Sequence, residues 1–173
     1  MTLIELMVTV AITAVLMAVA IPSMQQLIAK RRVAGVVNEL VIDLRYLRSI
    51  GAQNADAVQL DFGSSAASTC YSLSINRPQE IDCDCNNPAS CNGVGVAPTA
   101  VKTVTLQRDD GVSVSSSLSP LRFIGPSATP QNLATITATV SGSRGGTAKV
   151  MTNSAGRAFA CSVSGQESNF PAC

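Results

Sequence analysis

MTLIELMVTVAITAVLMAVAIPSMQQLIA (residues 1–29) carries one charge, Glu5, and none from Leu6 to Ala29. Its length suits a membrane-crossing helix, since about 20 apolar residues span the hydrocarbon core of a bilayer. A carboxylate near the start of such a segment is expensive, about 2.5 kcal/mol for an acid at mid-membrane on the mildest scale. Glu5 therefore needs a partner. The nearest candidate is a free terminal amine, on its own chain or on a neighbour's. Pro22 falls inside the same segment. A helical proline removes a backbone hydrogen bond and kinks or breaks the helix. A bend or a melted stretch is expected within 14–23, with the Thr13 hydroxyl at hand for a freed carbonyl.

Helical spacing continues past this segment. Val33, Val36, Val37, Leu40, Val41, Leu44 and Leu47 form one apolar stripe, with Lys30, Arg31, Arg32, Asp43, Arg45 and Arg48 assigned to the other face. One helix from residue 2 to about 52 would be roughly 75 Å long, so half of it must protrude from a small domain. Beyond residue 55 the period changes. VQLDF (58–62), YSLSI (71–75), KTVTLQ (102–107), VSVSS (112–116), ATITATV (134–140) and AKVMT (148–152) read as antiparallel strands of one sheet. Asp110-Gly111 and Gly145-Gly146 read as hairpin tips, and residues 77–98 as a turn-rich, cysteine-rich loop. The expected fold is α+β: a long N-terminal α-helix packed on an antiparallel β-sheet head with disulfide-bonded loops.

Composition narrows the function. The formal net charge of +1 provides no global field for nucleic acid or acidic lipid. Histidine is absent, which removes the commonest general base and metal ligand. No serine sits in a G-x-S-x-G elbow, and neither a phosphate-binding loop nor a dinucleotide fingerprint is present. A non-enzymatic protein without a cofactor is expected. Six cysteines, Cys70, Cys83, Cys85, Cys91, Cys161 and Cys173, all lie outside the apolar segment. An even count beyond a membrane anchor points to export and three disulfides. The DCDCNNPASC run lacks the paired knuckle spacing of structural zinc, so no metal site is expected. Spacing leaves the pairing open. The reading adopted joins Cys161 to Cys173 and keeps the other four within 70–91. Glu80, Asp82 and Asp84, with Asn86 and Asn87, read as an exposed acidic loop, since their spacing is not that of a calcium loop.

The segment TLIELMVTVAITAVLMAVAIPS resembles the N-terminus of type IV pilins and type II secretion pseudopilins, matching at Thr2, Leu3, Ile4, Glu5 and Pro22. Met1 stands where phenylalanine is commonest in that family. RSIGAQNADAVQL (48–60) and TATVSGSRGGTAKVMTNSAGRAFAC (137–161) are similar to segments of the GspH/FimT group of pilin-like proteins.

The resemblance implies that residues 1–29 form a transmembrane and filament-core helix, residues 30–54 the amphipathic half of the same helix, and residues 55–173 a globular β-rich head. It implies a single-pass precursor in the bacterial inner membrane, processing and methylation at Met1 by a prepilin peptidase, and export by the pilus assembly machinery. The product would be an extracellular helical homopolymer, with Thr2, Leu3, Glu5 and Pro22 serving assembly. Two readings of Met1 stand, a processed end and an initiator. A buried charge pair that sets register is a well-attested device. Glu5 paired with the Met1 amine of an adjacent subunit would fit it. Local melting near Pro22 would let the helix lengthen in the fibre.

Some FimT-like minor pilins bind DNA through a motif resembling Gly-Arg-x-Arg; here it reads Gly156-Arg157-Ala158-Phe159, without the second arginine. Arg157, Arg144 and Lys149 are the candidates for DNA contact. Residues 30–48 hold five basic and two acidic residues, but the rest of the chain beyond them is slightly acidic. A phosphate-binding head should be basic on one face. The favoured function is a structural subunit of a type IV pilus. The alternatives are a DNA-binding minor pilin and a secretion pseudopilin.

Overall fold

The computed structural model describes residues 2–54, 57–76, 84–87, 99–124, 129–130, 136–143, 146–153, 155–163 and 170–173. One helix, α1, runs Leu3–Asn54 over 52 residues. It stays helical through 14–23 and through Pro22 in the single chain. The Thr13 hydroxyl is not free for a carbonyl near Pro22: it donates to Thr9 O (3.0 Å) and Val10 O (2.9 Å) in its own turn. A side chain that bonds back three or four residues is satisfied locally.

Among the described residues nine strands follow: β1 Ala57–Ser64, β2 Ser68–Asn76, β3 Thr99–Gln107, β4 Val112–Ser116, β5 Leu121–Ile124, β6 Thr129–Pro130, β7 Ile136–Gly142, β8 Thr147–Thr152 and β9 Ala158–Ser162. They make two antiparallel sheets, β3-β2-β1-β5-β6 and β4-β7-β8-β9, where one was expected. The chain changes sheets at Asp110-Gly111, which is thus no hairpin tip. A single 3-10 turn, Arg108–Asp110, ends β3, and Gly111 follows at φ 73°. A side chain at Gly111 would meet Ser143 Oγ at 2.5 Å, so glycine is required twice over there. The β7–β8 connection is a hairpin, closed by the Gly142 N–H donating to Gly146 O at 2.9 Å.

Both sheets lie against the C-terminal half of α1. Val33, Val37, Leu40 and Leu47 are fully buried between them, with Val58, Leu73 and Phe123 from the first sheet and Val140, Ala148 and Val150 from the second. In β8 burial alternates, the signature of a sheet with one face on the core. In β1 four consecutive residues, Val58 to Asp61, are buried, because both faces are covered. Val58 and Leu60 belong to the core. Gln59 and Asp61 belong to a polar second face, where Gln59 Nε2 donates to Asp61 Oδ2 at 2.9 Å and Arg122 Nε donates to Gln59 Oε1 at 3.3 Å. Buried polar groups are tolerable when bonded in this way.

Two disulfides close the described head. Cys70 in β2 bonds Cys85, and Cys161 in β9 bonds Cys173. The first lies over Gly63, where any side chain would strike Asn86 Nδ2 at 2.6 Å and Cys85 Sγ at 2.7 Å. The second is reinforced by the Ser162 N–H donating to Pro171 O and the Cys173 N–H donating to Ser162 O. Cys83 and Cys91 lie outside the described residues, as do most of loop 77–98 and the acidic positions Glu80 and Asp82. Asp84 folds into a local turn, its Oδ1 accepting from the Asn86 N–H at 2.9 Å.

Candidate functional site

The first half of α1 is bare. From Leu3 to Ile28 its large apolar side chains are exposed, Val19 at 72% and Leu3 at 75% among them. None of the most apolar window is buried, and its mean hydropathy and length suffice to cross a membrane. Soluble monomers rarely leave such a continuous apolar surface to water. The bare half is therefore a surface awaiting a partner or a membrane.

Glu5 has an immediate local role that reading it as a membrane charge missed. Thr2 is the N-cap of α1 and Glu5 the third helical residue. The Glu5 carboxylate reaches back to accept from the Thr2 N–H at 2.8 Å, and its backbone N–H donates to Thr2 O at 3.1 Å. The T-x-x-E spacing is that of a capping box, which satisfies a donor that the helix cannot. The signal was present in the sequence. Both side-chain contacts, from the Thr2 N–H and from its hydroxyl at 3.4 Å, fall on Oε2, leaving Oε1 open among the described residues. Glu5 can hold its own helix start and still accept a further donor. Met1 lies outside the described residues.

The head grips the stalk through a second group that periodicity missed. Asp43 was assigned to the polar face of α1, yet it is only 5% exposed. Its Oδ2 accepts from the Tyr71 hydroxyl at 2.8 Å, and Lys102 Nζ lies 2.9 Å from Oδ1 and 2.8 Å from Oδ2. The same ammonium donates to Glu39 Oε1 at 2.8 Å. Tyr71 comes from β2 and Lys102 from β3, so two strands clasp one helix turn. Burial, then the hydrogen bond to Asp43, push the Tyr71 phenol far above its usual 10.0. Burial pulls the Lys102 ammonium down, but its hydrogen bonds to Asp43 and Glu39 outweigh that and raise it above the usual 10.5.

Of the candidates for DNA contact, Arg144 lies outside the described residues. Lys149 sits on β8 paired with Cys161, on the face away from Ala148 and Val150. Arg157 stands elsewhere, in a groove of about 300 Å³ that it lines with Arg45 and Arg48 of α1. The β8–β9 turn presents it there. Asn153 Oδ1 accepts from the Arg157 N–H at 2.9 Å, and Gly156 turns at φ 72°. Among the described residues no group of His, Cys, Asp and Glu is placed to hold a metal ion.

No protein-family model and no curated protein matches this sequence. The crystal structure of the type IV minor pilin FimU of Pseudomonas aeruginosa does match in three dimensions, with a TM-score of 0.51. The two chains share 16% identity, and the match covers 75% of this chain and 87% of that one. A long N-terminal helix, its second half laid across antiparallel sheets and its head closed by disulfides, gives this chain the type IV pilin-like fold.

Proposed function

We propose that this chain is a structural subunit of a type IV pilus, polymerising through residues 1–29 into a cell-surface filament. One observation carries the reading: a well-packed head is joined to an apolar helix half that buries nothing within its own chain. Before assembly the same half serves as a single-pass anchor in the inner membrane. In the fibre, helices of neighbouring copies exclude water from it, so the interaction is driven by apolar area. Glu5 then needs a cation, and the open Oε1 accepts the terminal amine of a neighbour without uncapping the helix. That pairing fixes the axial offset between copies.

Mass spectrometry of sheared surface filaments tests the reading, since this chain should be abundant in them and begin with a methylated Met1. Glu5→Gln separates the two roles of the carboxylate. A glutamine still accepts from the Thr2 N–H but offers an amine no charge, so fibre yield should collapse while the head keeps its fold. Undiminished fibres from Glu5→Gln would remove the register role.

A second reading, DNA binding by a minor pilin, is favoured by the three arginines gathered in one groove. It is opposed by Lys149, which does not line that groove, and by Phe159 at the motif's second arginine position. A gel-shift comparison of the wild type with Arg157→Ala decides between them.

A further inference from the structure

We propose that the Arg45, Arg48 and Arg157 groove of one copy receives the Asp109-Asp110 turn of another copy, as a lateral contact between heads in the fibre. The inference rests on the polymer reading. Among the described residues no carboxylate lines the groove, and none of its three guanidiniums has a hydrogen bond or ion pair. Three like charges brought together by α1 and the β8–β9 turn repel one another, so the groove calls for an anionic occupant. The same chain carries a pair of adjacent carboxylates of the required charge. Asp109 and Asp110 sit on the 3-10 turn after β3, exposed to solvent and held in shape by Gly111. Asp109 has no partner among the described residues. Asp110 has only a loose one, with its Oδ1 3.9 Å from Arg32 Nη1.

The two patches cannot meet within a copy. The acidic turn is fixed beside Arg32 by the Arg32 guanidinium donating to Asp110 O at 2.9 Å. Arg45 lies roughly three and a half turns further along α1, about 20 Å up the axis and ~220° around it. Turn and groove thus occupy opposite flanks and opposite ends of the head. A contact between them joins unlike surfaces of identical copies. Such a contact repeats into an open helical array unless its rotation closes. Exposed ion pairs bind weakly one by one, but like charges set face to face are strongly disfavoured. The contact would therefore act chiefly on the choice of neighbour geometry.

The test uses the full chain in the producing cell, with yield of sheared fibres as the readout. Arg45→Glu with Arg157→Glu, and separately Asp109→Arg with Asp110→Arg, should each lower yield about tenfold through like-charge repulsion. Combining all four should restore it to within about twofold. In a chain carrying Asp109→Cys and Arg157→Cys, oxidation of fibres should give a ladder of covalent multimers. Arg157→Ala and Asp109→Asn, milder changes on exposed side chains, should shift yield in the same direction by less. Wild-type fibres with undiminished yield from both reversals, no rescue in the combined variant, or no ladder would overturn the contact and leave the polymer intact. A groove variant that keeps its fibres but loses binding to a duplex DNA probe would also overturn it, giving the groove to a nucleic acid. No fibres from the wild type would sink the polymer reading itself.

Discussion

The two halves of α1 belong to one unbroken helix and meet opposite fates. Residues 3–28 are apolar all round and exposed, whereas Val33 to Leu47 are apolar on one stripe and buried. An all-round apolar helix fits a membrane or a helix bundle, and a striped one fits the side of a sheet. The helix itself is continuous across the boundary. Local backbone structure thus does not distinguish the halves; only the number of apolar faces does.

Substitutions break that comparison most sharply in the core. Leu40→Ala in the bound half should destabilise the head by about 3 kcal/mol, through lost transfer energy and a cavity. Leu16→Ala in the bare half should leave head stability within about 0.5 kcal/mol. Chemical denaturation of both variants in detergent, followed by near-ultraviolet circular dichroism, checks the difference. Equal losses would mean that the two halves fold as one unit.

Next in size is the C-terminal bridge. Replacing Cys161 and Cys173 by serine opens a loop of 12 residues, which should cost the head about 3 kcal/mol or somewhat less. The bare half should not sense it, and limited proteolysis should cut first beyond β9.

The Asp43 clasp comes third. Asp43→Asn keeps the shape but leaves the Lys102 ammonium less well paired, at a cost of about 2 kcal/mol. Alkaline titration sharpens this result. Tyr71 and Lys102 both have raised values in the folded head. Each therefore contributes stability that is complete below its unfolded value, 10.0 and 10.5 respectively, and is lost as pH rises. The melting temperature should hold steady to about pH 10 and then fall, and Tyr71→Phe should flatten the first part of that fall. The smallest effect is expected at the junction of the halves. Gly35 is exposed on α1 with nothing within 4 Å of an added methyl. Gly35→Ala should stabilise the head-bound half by about 0.8 kcal/mol.

The stripe from Val33 to Leu47 was legible because seven apolar positions keep helical phase without interruption. Asp43 was misassigned for a physical reason. Its burial depends on Tyr71 and Lys102, 28 and 59 positions away in the chain, and periodicity registers only neighbours. Alternation in KTVTLQ and AKVMT located strands, but it says which side chains face inward and not which strands pair. One expected sheet therefore became two. LRFI, now β5, is only four residues long, and AFACS, now β9, has no β-branched residue, so neither stood out as a strand. The Thr2–Glu5 cap was legible from the T-x-x-E spacing alone. Pro22 was expected to bend or melt the helix; in the single chain the helical turns run on through it, since a proline removes only one N–H.

β9 is an outer strand of its sheet, and outer strands offer unpaired backbone groups on which foreign strands can polymerise. Here the chain end takes the last of those positions for itself, through a parallel bridge from Ser162 to Ala172 and the adjoining Cys161–Cys173 bond. A foreign strand pairing at that end of β9 would have to displace this bridge. A protein whose bare helix invites association thus carries, at that end of the sheet, an obstacle to a competing way of joining its own kind.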